Sequence, residues 1–140
     1  MLEYQLRALS LADYDAIFAL WRRTPGMGLH DADSRENLAN FLARNPGLSF
    51  VAICGGTIIG TILCGHDGRR GFLYHLAVRA EAQGYGVGRS LVERSLAKLK
   101  AAGITKCHLF VMADNSRGQA FWDHIGFKQR ADIHICSQDL

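Results

Sequence analysis

The segment Gln83-Gly84-Tyr85-Gly86-Val87-Gly88 constrains this chain more than any other. It follows an apolar run over residues 72–78 and precedes a helical pattern that opens at Arg89. A strand that hands a glycine-rich turn to a helix start leaves several backbone N–H groups unpaired, in the positive field of the helix N-terminus. Such a turn suits a phosphate-bearing ligand. Gly84 and Gly86 let the backbone approach a ligand with no Cβ in the way, and Gly88 is expected to let the helix start pack on the sheet. Arg89 is placed to add a charge-assisted bond. A turn that only reverses the chain uses the same residue types, so the order strand, turn, helix is what favours the anion site.

A chain of 140 residues, 49% of them apolar, can build one substantial core, and a single domain over residues 1–140 is expected. Sixteen basic residues against thirteen acidic ones leave a net charge of +3. That surplus fits an anionic small molecule, and no basic block points to nucleic acid. Cys54, Cys64, Cys107 and Cys136 all fall in candidate strands without close spacing, so they read as buried thiols of a reducing compartment. His30, Asp31, Asp33 and the His66-Asp67 pair match no metal-site spacing, and no metal is expected. No basic, apolar leader opens the sequence and no run is long enough to span a bilayer. A soluble, cytoplasmic protein is the expectation.

Alternation and breakers give the order of elements. Residues 2–7 predict a strand, and Ser10 with Asp13 has capping-box spacing ahead of a helix carrying Tyr14, Ile17, Phe18 and Trp21 on one face, stopped by Pro25-Gly26. A second helix is predicted over 34–44 with Leu38, Phe41 and Leu42 inward. Strands follow over 48–54, 57–64 and 71–78, the first two joined by Gly55-Gly56. Leu91, Val92, Leu96 and Leu99 recur at helical intervals up to Gly103. A strand at 107–111, a helix at 115–124 and short closing strands at 126–127 and 133–135 complete the pattern. The simplest arrangement is an α/β fold, a mixed central sheet flanked by helices.

The glycine spacing departs from the dinucleotide fingerprint, and no Gly-Lys-Ser or Gly-Lys-Thr follows as in a kinase-like phosphate loop. Taken together, Leu76-Ala77-Val78, the run Gln83 to Gly88, and Asn115 with Phe121-Trp122 and Gly126-Phe127 resemble the GNAT N-acetyltransferase family. The resemblance covers essentially the whole chain. It is most specific at residues 73–89, where a Gln-x-x-Gly-x-Gly form is complete.

The resemblance implies a fold with splayed fourth and fifth strands and acetyl coenzyme A as co-substrate. It places Gln83, Gly84, Tyr85, Gly86, Val87, Gly88 and Arg89 at the pyrophosphate. Leu76, Ala77 and Val78 would run along the pantetheine arm, the backbones of Leu76 and Val78 pairing with it, beside an amide that polarises the thioester. Asn115 would stand beside that arm, and Phe121-Trp122 near the sulfur. Two positions depart from the family pattern. Trp122 stands where many members carry a proton-donating Tyr, and an indole N–H is no acid near neutral pH. Phe110 stands where members that acetylate ribosomal protein N-termini carry a glutamate base.

Acyl transfer needs a group to take the proton of an alkyl ammonium, which costs on the order of 4 kcal/mol to neutralise at pH 7. His75 and Tyr74 are the titratable candidates by position, and strand alternation is expected to put them on opposite faces. His75 has two readings, a base or water relay and a hydrogen-bonded structural residue; Tyr74 either borders the acceptor or packs. The turn 66–70 either borders the acceptor cleft or is solvated, and Asp31, Asp33 and Glu36 either attract an amine or favour helix starts. No cysteine has an identifiable histidine partner, so direct attack in a ternary complex is expected. The acceptor is a small-molecule amine or a peptide, with no nucleic acid or membrane partner, and a homodimer is compatible with such a chain. The alternative is a coenzyme A sensor with little transferase activity.

Overall fold

The structure, a computed structural model, describes residues 2–140. Its elements are β1 (Gln5–Ala8), α1 (Tyr14–Arg23), α2 (Arg35–Arg44), β2 (Phe50–Cys54), β3 (Thr57–His66), β4 (Gly71–Val78), α3 (Val87–Ala101), β5 (Cys107–Leu109) and α4 (Ser116–His124), with single 3-10 turns ahead of α1, α2 and α3. The chain falls into two compact units that divide after Phe110.

In the first unit, five strands form one sheet in chain order. β1 to β4 pair antiparallel, and β5 returns parallel to β4 because α3 intervenes as a crossover. Gly55 and Gly56, both at positive φ, make the tight β2–β3 hairpin. Helices cover both faces. A Cβ on Gly60 would lie 3.1 Å from side chains of Val87 and Leu91 on α3, while the next residue, Thr61, accepts a bond from Trp21 of α1 at 2.9 Å. Successive strand residues point to opposite faces, so α3 lies on one side and α1 on the other. Gly71 also faces α3, with Leu99 Cδ1 2.6 Å from where its Cβ would be. The close approach of α3 is thus carried by sheet glycines at 60 and 71.

Opposite them, Ile17, Leu20 and Trp21 of α1 and Leu38 of α2 join Val51, Leu63 and Ala77 in one buried cluster. The spacing i, i+3, i+4 in α1 is what lets one helix face reach the sheet. Arg7 holds the start of this layer to the sheet edge, with both guanidinium arms 2.8 Å from the Asp13 carboxylate. That bonding, with the Ser10 N–H, holds Asp13 below the usual carboxylate range. Ser34 caps α2 by accepting from Asn37 N at 3.1 Å.

The β3–β4 ladder slips once. Thr61 is opposite Ala77 and Leu63 is opposite Tyr74, so His75 and Leu76 together face Ile62. One extra residue in β4 is a β-bulge. His75 absorbs it at φ +48°, a left-handed conformation that is uncommon for a residue with a Cβ. The slip is held by a buried chain of bonds. Trp21 Nε1 donates to Thr61 Oγ1 at 2.9 Å, and that hydroxyl donates to the His75 carbonyl at 3.0 Å. Trp21 and Thr61 are fully buried.

The bulge overturns the expectation that Tyr74 and His75 face opposite sides. Tyr74 meets Phe41 of α2, with ring centroids 6.0 Å apart, and His75 meets Trp21 of α1 at 4.7 Å. Both rings therefore stand on the α1–α2 face.

In the second unit, α4 is capped by Asn115 Oδ1, which accepts from Gly118 N at 2.9 Å. The expected closing strands at 126–127 and 133–135 do not form; no strand is assigned among residues 110–140. Such short segments offer too few ladder bonds to hold a strand alone; between them Arg130 donates twice to Asp132 at 2.8 Å. Cys136 is accordingly exposed and outside any strand, and Cys54 and Cys107 are only half-buried, leaving Cys64 as the one cysteine that fits the buried reading.

Replacing Thr61 with Val keeps the shape but orphans the Trp21 N–H and the His75 carbonyl. Thr61→Val is expected to lower unfolding stability by about 3 kcal/mol, read from urea denaturation. A loss under about 0.5 kcal/mol would show that the chain of bonds does not hold the bulge.

Candidate active site

β5 pairs with β4 only at Gly71, Phe72 and Leu73. Beyond Leu73 the two strands part, and residues 74–78 of β4 keep β3 on one side with no strand on the other. An unpaired strand edge is a ready template for an extended partner. Within this stretch Ala77 is buried in the α1–α2 cluster, whereas Leu76 and Val78 are half-exposed. The Val78 carbonyl already accepts from Gln83 Nε2 at 3.1 Å, so the Gln83 side chain ties the glycine turn to the end of the strand.

That turn delivers the chain to α3. Gly84 and Gly86 stand at φ +85° and +81°, and a Cβ on either would meet no protein atom within 4 Å. Their conformation demands glycine, and the space beside them is open. Val87 is buried against the sheet, while Gly84, Tyr85, Gly86 and Arg89 are exposed and Gly88 is half-exposed. Among the described residues the backbone amides of residues 84–89 have no acceptor; the first intrahelical bond runs from Ser90 N to Gly86 O at 3.0 Å. A row of unpaired amides at a helix start is an anion cradle. Arg89 is paired with Glu93 at 3.0 Å on the surface, an exposed ion pair of small worth that leaves the guanidinium free to turn to a phosphate. Tyr4, which carried no signal in the sequence, fixes the cradle from below: its hydroxyl lies 2.7 Å from Ser90 Oγ and 3.4 Å from Gly86 O.

His75 and Tyr74 stand where the edge of β4 becomes free. His75 Nε2 lies 2.6 Å from Asp33 Oδ1, across 42 residues of sequence. Asp33 is buried, in the 3-10 turn before α2, and its other oxygen accepts from His30 N at 3.1 Å. Tyr14 secures the same turn by donating to the Asp33 carbonyl at 2.7 Å. Of the three acidic residues expected near the helix starts, Asp31 and Glu36 are exposed and Asp33 alone is committed to a partner in the sheet. Tyr74 belongs to an aromatic group with Phe41, Phe72 and Phe110, ring centroids 6.0 to 6.5 Å from its own. Burial, with a smaller contribution from Cys107, pushes its phenol up. Tyr74 therefore stays protonated near neutral pH and is unsuited to take a proton.

The polar turn at residues 66–70 satisfies itself. Asp67 Oδ1 accepts from Arg69 N and Arg70 N at 2.8 Å, which lowers its carboxyl, and His66 Nδ1 accepts from Gly68 N at 2.9 Å. Its side chains serve their own backbone, as in a solvated turn. Burial raises the Cys64 thiol to about 12 and the Cys107 thiol to about 11. Neither is a nucleophile near neutral pH, which argues against acyl transfer through them.

In the second unit, the aromatic rings of Phe121 and Trp122 meet edge-on at 5.1 Å, and Trp122 meets Phe127 the same way at 5.2 Å. The Trp122 carbonyl accepts from Phe127 N at 2.9 Å. Gly118 is required beneath Asn115, whose Nδ2 would be 2.5 Å from a Cβ there.

The profile of the acetyltransferase (GNAT) family matches residues 14–127. This chain belongs to that family. It is similar to an acetyltransferase of Pectobacterium atrosepticum, 33% identical over 79% of this chain and 78% of that one. An acetyltransferase of Sodalis glossinidius is 26% identical over 97% and 95% of the two chains. Among solved structures, the PaiA N-acetyltransferase of Thermoplasma acidophilum in complex with coenzyme A has the same fold, with TM-score 0.79, 24% identity and 91% of each chain covered. The GNAT acyl donor is acetyl coenzyme A. The residues present fit it: open amides at 84–89 suit a diphosphate, and the free edge of β4 suits an extended amide-bearing arm. No helix among the described residues is long and apolar enough to cross a membrane.

Gly86→Ala is expected to cost only about 1 kcal/mol of stability, the strain of a left-handed alanine, yet to weaken coenzyme A binding at least tenfold by calorimetry. Unchanged affinity would move the diphosphate elsewhere. At pH 8, thiolate fractions of roughly one in ten thousand for Cys64 and one in a thousand for Cys107 follow from their raised values. Iodoacetamide should then label Cys136 while sparing both, as peptide mass mapping would show.

Proposed function

We propose that this GNAT domain is an N-acetyltransferase that moves acetyl from acetyl coenzyme A directly to the amine of a small molecule or peptide, both bound at once. The observation that carries this reading is the free stretch of β4 at residues 74–78, followed after the 3-10 turn Ala80–Ala82 by the unpaired amides at 84–89. The two stretches, separated by the 3-10 turn Ala80–Ala82, offer main-chain groups first for an amide-bearing arm and then for a diphosphate. The family match across residues 14–127 runs through both compact units and supports reading the chain as one catalytic domain.

In this reading the amides from Gly84 to Arg89 hold the diphosphate, with Gln83 fixing the turn. The backbone of Leu76 and Val78 aligns the arm, the Val78 carbonyl exchanging its Gln83 bond for the ligand. At the bulge, where His75 and Leu76 share Ile62 as their opposite residue, a main-chain N–H stabilises negative charge as it grows on the thioester oxygen. His75, on the α1–α2 face, takes the proton of the incoming amine. Tyr74, with Phe72 and Phe110, forms a wall for the acceptor's apolar part. On the resemblance of their motif alone, Asn115 is proposed beside the arm and Phe121-Trp122 near the sulfur. That the Thermoplasma protein is an N-acetyltransferase supports nitrogen as the attacked atom, and a cytoplasmic location is consistent with the co-substrate.

A panel of polyamines, amino sugars, aminoglycosides, amino acids and peptide N-termini, followed by thiol release and mass analysis, tests the reading. Amine-dependent release with acetyl on nitrogen is the expected result. Saturable coenzyme A binding with no release for any amine would make the chain a coenzyme A sensor instead.

A further inference from the structure

We propose that Asp33 is the positioning residue for His75, locking the imidazole so that Nδ1 is the atom that takes the acceptor's proton. The proposal rests on His75 acting as the base in the reading above, and it adds the residue that makes His75 competent. A carboxylate oxygen accepts hydrogen bonds, so the contact of 2.6 Å between Asp33 Oδ1 and His75 Nε2 places the hydrogen on Nε2. The neutral ring then carries its lone pair on Nδ1. Nδ1 has no hydrogen-bond partner, while every fully buried side-chain nitrogen and oxygen among the described residues has one. Nδ1 therefore reaches solvent, beside the free stretch of β4.

Three features set this pair apart from a histidine that merely packs. Asp33 is itself fixed on three sides: its second oxygen accepts from His30 N, its carbonyl from Tyr14, and its own N–H donates to His30 O at 2.9 Å. The imidazole is held against the Trp21 ring at 4.7 Å. Moreover, His75 occupies a left-handed conformation at φ +48°, where glycine or asparagine would sit with less strain. Strain retained at a bulge beside a free strand edge points to a use for this side chain. Asp33 is the ionisable group that contacts the ring; from α1 it meets Trp21, and the β3 residue bonded to its backbone is Thr61.

The proton balance is simple. An acceptor arriving as R–NH3+ gives one proton to His75 Nδ1, forming imidazolium hydrogen-bonded to Asp33 through Nε2. The freed nitrogen pair forms the C–N bond at the thioester carbon, and the carbonyl π pair moves to oxygen. As that pair returns, the C–S bond breaks and sulfur leaves with its electrons. The second nitrogen proton neutralises the thiolate, and the imidazolium releases its proton to solvent, giving the amide, coenzyme A thiol and one free proton.

Four measurements test it, using an acceptor already shown to react. Nitrogen-15 NMR of His75 in the wild-type protein should show hydrogen on Nε2 and a bare Nδ1; the opposite tautomer overturns the proposal with no reference to turnover. Asp33→Asn should redistribute the tautomers and lower kcat about tenfold, with KM for acetyl coenzyme A within twofold of wild type. His75→Asn, which tolerates the left-handed backbone, should lose at least 100-fold in kcat and abolish the acidic limb of the kcat/KM profile. The double variant should be no slower than His75→Asn alone. Unchanged kcat and tautomer in Asp33→Asn would refute the pairing in an active enzyme, whereas a wild-type protein that acetylates no amine would instead refute the function on which it rests. Should Asp33→Asn fail to fold, the wild-type tautomer and the His75→Asn profile decide the matter.

Discussion

One buried chain of hydrogen bonds organises the chemistry-bearing part of this protein. Trp21 donates to Thr61, and Thr61 donates to the carbonyl of His75. Both donors are inside, where leaving either unmet costs about 1–3 kcal/mol, and the bond to the His75 carbonyl ties down the extra residue of β4. That extra residue changes which way every later side chain of the strand points. Tyr74 and His75 arrive on the same face, and Ala77 returns to the core.

The other half of the arrangement is the early parting of β4 and β5. A parallel partner has to come back through a helix, and α3 reaches its packed position because Gly60 and Gly71 leave room for Val87, Leu91 and Leu99. β5 then covers only the first residues of β4. The strand end left uncovered is followed, after the 3-10 turn Ala80–Ala82, by the turn whose amides have no acceptor, and Gln83 Nε2 ties the two by donating to the Val78 carbonyl. The helix seat and the glycine turn are coupled: Val87 anchors the first helical residue while Gly84 and Gly86 leave the backbone bare beside it.

Much of this was legible beforehand, and the exceptions are instructive. The glycine turn, the order of the first four strands and the two helices ahead of β2 follow from local pattern, since each depends on residues close in sequence. The Gly55-Gly56 hairpin and the Ser34 cap are of the same kind. Alternation failed at His75 because a bulge is decided by a partner strand and a tryptophan 54 positions earlier. Thr61 offered a faint signal, a hydroxyl within an apolar strand that had to find a partner. Asp33 offered none that separated it from Asp31, since its commitment is to a residue far along the chain. The closing strands failed for another reason: short alternation at 133–135 predicts a strand only where a neighbour exists to pair with it.

By itself, then, the sequence determined the α/β class, the family and the place of the glycine turn that opens α3, because glycine conformation, helix starts and apolar periodicity are local properties. Tertiary structure alone decided that His75 faces Asp33 with one nitrogen free, that Tyr74 shares its face, and that β4 keeps an open edge. Each of these depends on which distant groups are buried together, and burial is a property of the assembled layers.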